Sequence, residues 1–265
     1  MPLHVNTSNM LVIDDSNFKE HVGDVVNGVV RFRGYEQRDY AKEPYGSSTP
    51  YAVPMTVPNI PESEWPDRIE QIHKDKALTS ERAKRAGVKV YNQESTNFCW
   101  ANGTLKAFEI TRVLQGLDHV PLSPASIAAP ITGFRNVGGW GTQALKYLVD
   151  HGACPTAVWG NNSIDRRLDN AETKKAREPF KNTMWFDVEP NVLAPTMTLL
   201  LLGMPVAVAY NFWRHLVLAL DPIRFEDGTY GFGCWNSWGE SYGDKGYFVM
   251  RSEEHTSELQ SRRAI

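Results

Sequence analysis

The chain has 265 residues, with 28 Lys+Arg against 31 Asp+Glu and a formal net charge of −3. This length suits one large domain or two lobes, and an apolar share of 42% supplies a sizeable core. The near-neutral balance, without a Lys/Arg block, gives no basis for nucleic-acid or membrane-surface partners. The longest apolar run, around Leu199 to Leu202, is cut by Gly203 and Pro205, far short of a bilayer span.

The start, Met1 to Asn6, lacks a basic region followed by an apolar stretch, so no signal peptide is expected. Val25 to Phe32 reads as a short strand pair turning at Asn27-Gly28. Glu43 to Pro61, rich in Pro, Tyr, Ser and Gly, reads as an extended connector. Residues 1–57 thus form an N-terminal extension that either blocks a cleft or joins a β lobe. Ser63 to Arg85 has helical spacing, with Ser63 as a cap, Pro66 in the first turn and a break near Thr79-Ser80. Asn97 is placed to cap a helix from Phe98 or Cys99 to Gly116. Further helices are expected over 142–151, 166–178 and 192–202. From Pro205 onward come short β-rich runs at 206–210, 216–220, 230–235 and 246–250, separated by turns at Asp227-Gly228 and Asp244 to Gly246. Helices in front and strands behind predict an α+β fold of two lobes, helical over about 90–180 and β-rich over about 181–250. Arg251 to Ser261 (RSEEHTSELQS) resembles a translated sequencing-adapter oligonucleotide. Residues 251–265 are therefore set aside, and the natural sequence is expected to continue past Met250.

Three cysteines, Cys99, Cys154 and Cys234, show no CxxC or paired His/Cys spacing, so neither a metal nor another cofactor is expected. A reducing compartment is the simpler reading. Cys99 is followed far downstream by His215 and Asn236 and preceded by Gln93. That set fits nucleophilic chemistry. A thiol at a helix start lies near the positive end of the helix dipole, which favours thiolate. A histidine can hold the thiolate and then protonate a leaving group, and an asparagine can fix the imidazole tautomer. A glutamine can donate to an oxyanion beside the backbone N–H of the cysteine. Cys154 and Cys234 lack such surroundings and read as core residues.

Gln93 to Gly103, Gly138-Gly139-Trp140, Arg214 to Ala219, Asn236-Ser-Trp-Gly239 and Gly246-Tyr-Phe248 together resemble the papain-like cysteine peptidases over about residues 61–250. The resemblance implies a two-lobed papain-like fold with Cys99 on the helical lobe and His215 and Asn236 on the β lobe. It further implies Gln93 as oxyanion donor, Gly138 and Gly139 as binders of substrate backbone, and Trp238 as a shield over the Asn–His bond. The implied activity is that of an endopeptidase working through a thioester on peptide or protein substrates. The chain departs from secreted relatives at Glu94 to Phe98, where their disulfide cysteines are absent. This favours a cytoplasmic, viral or bacterial intracellular setting. Residues 1–57 also lack the long helical pattern of the family's inhibitory propeptides. Ile60 to Arg68 resembles the start of a mature domain. A non-catalytic scaffold, and a transpeptidase or amidase with the same nucleophile, remain the alternatives. Arg214, beside His215, is either solvated or a cleft cation favouring acidic side chains.

Overall fold

The apolar runs after Pro205 have no polar alternation, so strands built from them need cover on both faces. The computed structural model, which describes residues 10–26, 28–48, 50–251 and 262–264, gives them that cover. The elements run β1 (Val12–Ile13), α1 (Phe18–His21), β2 (Val25–Val26), β3 (Val29–Val30), β4 (Ala52–Pro54), α2 (Trp65–Lys74), α3 (Thr79–Arg85), α4 (Cys99–Leu114), α5 (Ala125–Ile131), α6 (Gly141–Asp150), α7 (Ala171–Arg177), β5 (Trp185–Asp187), α8 (Leu193–Leu201), β6 (Val206–Tyr210), β7 (His215–Arg224), β8 (Tyr230–Trp235), β9 (Tyr247–Arg251) and β10 (Arg262–Ala264). One sheet has the strand order β1-β9-β8-β7-β6-β10. β6 to β9 pair antiparallel with their neighbours, and β1 joins β9 in parallel. β7 is its central strand and is buried from His215 to Ile223.

α4 packs on β7, and Gly103 sets how closely. A Cβ there would lie 2.2 Å from Leu216 Cδ2, so only glycine allows this approach. Cys99 and Gly103 are one helical turn apart and share a face. The contact at Gly103 therefore brings the N-terminus of α4 to the start of β7, where His215 precedes Leu216.

Several expected local features fall differently. The cap of α4 is Phe98 and not Asn97, whose amide group bonds instead with Asn136 across the neighbouring loop. Ser63 lies inside a 3-10 turn at Glu62–Glu64 and caps nothing; Pro66 does sit in the first turn of α2. The break after α2 spans residues 75–78, with α3 starting at Thr79. A buried carboxylate, Asp221 of β7, accepts from the Ser80 amide (3.1 Å) and so caps α3 from the sheet. Over 166–178, a 3-10 turn precedes α7, which Asn170 caps through the amides of Glu172 and Thr173. The stretch 43–61 is more than a connector. It contains β4, which pairs in parallel with β5. Within the expected adapter-like tail, residues 252–261 and 265 lie outside the described residues.

Candidate active site

The site residues expected from the sequence converge where α4 meets β7. His215 Nε2 lies 2.8 Å from Asn236 Oδ1. The same oxygen accepts the Ser237 amide at 2.7 Å, which fixes it as the carbonyl oxygen of the asparagine. His215 Nε2 is therefore the protonated nitrogen. Nδ1 keeps its lone pair, buried and without a hydrogen-bond partner among the described residues. The Trp238 ring stacks on the imidazole, with centroids 4.6 Å apart and planes at 24°. Trp213 packs edge-on against both rings. This aromatic wall keeps water from the His215–Asn236 bond, where the interaction is stronger for being dry.

Gln93 is fully buried and tied to the Asn236 loop. Its backbone N–H donates to Ser237 O at 2.8 Å, and its Oε1 accepts the Ser237 hydroxyl at 2.5 Å. That bond leaves the Nε2 end of the amide facing the cleft.

The cleft is filled by the chain itself. Gln93 Nε2 donates to Thr96 O (2.7 Å) and also has Phe32 O (3.0 Å) and Arg33 O (3.1 Å) within reach, and the Cys99 amide approaches Arg33 O at 3.4 Å. Trp238 Nε1 donates to Phe32 O at 2.7 Å. On the other side Gly34 O accepts the Gly139 amide, and Glu36 N–H donates to Gly139 O, each at 2.9 Å, so Tyr35 pairs in parallel with Gly139. Tyr35 N–H donates to Arg214 O at 3.1 Å. Arg31 to Glu36 thus forms a strap across the cleft. The extension crosses here, upstream of the Pro/Tyr-rich stretch 45–61.

The glycines make this fit possible. A Cβ on Gly138 would be 2.5 Å from Gly34 O, and one on Gly139 would be 2.7 Å from the Trp100 ring. Gly34 has φ +107, and a Cβ would meet Asn97 O at 2.0 Å. The strap is pinned by Arg31, whose guanidinium lies 5.5 Å from the Trp238 ring centroid and 5.7 Å from that of Tyr242. Arg33 pairs with Asp24 and donates to Val22 O and Trp213 O.

Under this cover burial works against the expected thiolate. Burial pushes the Cys99 thiol up to about 12, against the opposing amides of Leu216, Tyr35 and Trp100. Burial pulls His215 down to about 3, which the Asn236 hydrogen bond only partly offsets. Desolvation outweighs the helix dipole, which contributes at most about 2 kcal/mol. Burial thus favours the neutral form of both groups.

Arg214 is exposed, with φ +49, and lines the mouth of the cleft with Glu36, Asn97 and Gly138. Cys154 and Cys234 are buried thiols. Among the described residues no group of His, Cys, Asp and Glu could hold a metal, and no helix is long and apolar enough to cross a membrane. The sequence offers a cleft-blocking extension as one alternative for residues 1–57 but not the position of the strap. Arg31 to Glu36 carries no motif, and Gly34 is its one unusual residue.

Solved structures share this architecture. A cysteine protease from Xylella fastidiosa, xylellain, is 20% identical with a TM-score of 0.54, over 67% of this chain and 80% of its own. The digestive procathepsin L 3 of Tenebrio molitor is 16% identical with a TM-score of 0.61, over 94% and 85%. The fold is that of the papain-like cysteine proteases. The bromelain protease from Ananas comosus, solved with the inhibitor E64, is 18% identical with a TM-score of 0.56, over 72% and 94%. No sequence-family profile and no curated protein matches the papain-like chain described here.

Proposed function

We propose that the protein is a cysteine-type endopeptidase whose own N-terminal strap holds it latent. The observation that carries this reading is the Arg33 carbonyl, placed between the Gln93 side-chain amide and the Cys99 backbone amide. The site binds a peptide carbonyl where an oxyanion would form, with Gly139 pairing to the adjoining backbone.

The strap runs the wrong way to be cut. Hydrolysis after Arg33 would release the Gly34 nitrogen, which must take a proton from His215. Gly34 leads toward Gly139, whereas the residue before the carbonyl, Phe32, lies under Trp238 on the histidine side. A peptide running in the opposite direction places its leaving nitrogen beside His215. The strap therefore occupies the substrate contacts without presenting a scissile bond.

With the strap out, water and substrate enter and the burial cost that keeps both groups neutral falls. The Cys99 proton passes to His215 Nδ1, and Asn236 holds the imidazolium through Nε2–H. Cys99 Sγ attacks the scissile carbonyl, with Gln93 and the Cys99 amide stabilising the oxyanion. His215 protonates the leaving amine. Water, deprotonated by the same histidine, then adds to the thioester carbon and releases acid and free thiol. Tyr35, 2% exposed in one cluster with Ala209 and Leu216, measures the apolar subsite beside Gly139 and favours a bulky side chain there.

The dry, neutral pair also favours a second reading, a scaffold that binds without reacting. The two part on one experiment. In the intact chain iodoacetamide labels Cys99 slowly at neutral pH. After limited proteolysis opens the strap, labelling accelerates and a fluorogenic peptide library is hydrolysed. Cys99→Ala lowers that hydrolysis by roughly 10⁴-fold or more. Undiminished hydrolysis in Cys99→Ala, or a thiol that stays inert with the cleft open, overturns the peptidase reading.

A further inference from the structure

Two residues past the strap the chain is anchored by a buried arginine. Arg38 is 1% exposed, and its guanidinium grips Asp187 of β5 through two bonds of 2.9 and 3.0 Å. It also donates to Glu43 O (2.9 Å) and Pro44 O (2.7 Å), so four bonds hold one side chain. Asp187 in turn accepts the Gly46 amide at 2.8 Å, and its own carbonyl accepts the Met55 amide at 3.0 Å. Ala52–Pro54 then pairs with Trp185–Asp187, and the Ile60 amide donates to Thr198 Oγ1 at 2.9 Å. These contacts tie the chain to the body at Arg38, Gly46, Ala52 to Met55 and Ile60, with exposed residues between them.

It also supports the substrate wall. Glu43 Oε2 accepts Trp140 Nε1 (3.2 Å) and Thr142 Oγ1 (3.1 Å), and its other oxygen takes Ser48 Oγ (2.9 Å) and Lys146 Nζ. Burial opposes its charge, but these bonds outweigh it and hold the carboxyl below its ordinary range. Trp140 follows Gly139 directly, and Thr142 lies in the first turn of α6. Glu43 thereby fixes the backbone that Gly139 offers to a peptide.

We propose that residues 38–60 are a permanent buttress of the substrate wall, with Glu43 as its positioning residue, and that the cut opening the cleft falls upstream of Arg38. The mature boundary is therefore not near Ile60, where the resemblance alone would put it. An exposed place for that cut is the pair of strands Val25–Val26 and Val29–Val30, where Val25, Val29 and Val30 are 56%, 47% and 59% exposed. The step is a hydrolysis. A peptide C–N bond breaks, water supplies hydroxyl to the carbonyl carbon and a proton to the amine nitrogen. Naming the cut as activation rests on the peptidase reading; the retention of 38–60 does not.

The test uses the full chain carrying Cys99→Ala, digested briefly by thermolysin. N-terminal sequencing and intact mass of the folded core are expected to place its start between Gly23 and Arg38, with Tm kept. A folded core that begins at 58–62 with the same Tm overturns the proposal. In strap-opened enzyme with Cys99 intact, Glu43→Gln is expected to raise KM roughly tenfold, with kcat within about twofold. A variant that loses kcat at unchanged KM overturns the positioning role. Failure to hydrolyse any peptide would sink the peptidase reading and leave the thermolysin result standing by itself.

Discussion

Two buried pairs in this molecule carry opposite charge states. Cys99 and His215 are both fully buried and both neutral, because burial outweighs every group that would stabilise their ions. Arg38 and Asp187 are as deeply buried but form a salt bridge; burial opposes the Arg38 charge, and the bonds to the carboxylate outweigh it and raise the guanidinium above its ordinary value. The difference is in the number of bonds. Arg38 has four acceptor contacts in a forked geometry and the Asp187 carboxylate also accepts the Gly46 amide, whereas His215 has one side-chain partner. A buried charge survives only when its hydrogen bonds are complete. The neutrality of the candidate nucleophile is thus a property of its cover, and the ion pair is a property of the fold.

The comparison can be broken most severely at the ionic pair. Arg38→Met leaves the Asp187 carboxylate buried without its partner, and is expected to cost about 3–5 kcal/mol. Thermal unfolding of the full chain should show a Tm lower by roughly 10 °C. A change of a degree or two would mean that Asp187 finds water or another donor in place of the guanidinium.

At the neutral pair the expected effect is on reactivity. Gly34→Val forces a side chain into Asn97 O and should lift the strap from the cleft. Iodoacetamide labelling of Cys99 should then quicken by at least about tenfold, read by mass spectrometry of the Cys99 peptide. An unchanged labelling rate would show that the thiol is quiet for a reason other than its cover.

The pH dependence sharpens the same point. His215 binds a proton below about 3 in the strapped form, but near its usual value of 6.5 in an unfolded chain. Between these values the unfolded chain holds the extra proton. Stability is therefore full above pH 6.5 and falls as the pH drops toward 3. His21, lowered by its own burial, acts in the same direction. Tm measured from pH 7 to 4 should decline, and His215→Gln should flatten part of that decline. The smallest effect is expected at Asp24, whose side chain is 93% exposed although it pairs with Arg33. Asp24→Asn should change stability by less than about 1 kcal/mol and Cys99 labelling little.

Much of the architecture was legible because it is written in short-range pattern. The unbroken apolar runs gave the strands from 206 onward, and the glycines after α4 and α8 marked the helix ends. The candidate site was legible as types and order, since nucleophile, amide, imidazole and asparagine each need a particular side chain. What the sequence hid was pairing over long separations. Asn97 has the right side chain for a cap, but Asn136, 39 residues on, takes its hydrogen bonds. Arg38 carries no mark of its role in the sequence, because its partner Asp187 lies 149 residues away. The strap was hidden for another reason. It binds through main-chain carbonyls and amides, which every residue has, so no side-chain motif records it.

The parallel pairing of β1 with β9 bears on how an opened molecule would be handled. Ile13 and Phe18 are buried in the main core, and Val12 and Ile13 are in register with Val249 and Met250. A break at the β2–β3 pair leaves these residues held on the sheet edge with no covalent link to the rest. The nicked protein should therefore run as two bands on a denaturing gel, yet elute from a sizing column as a single species of undiminished mass.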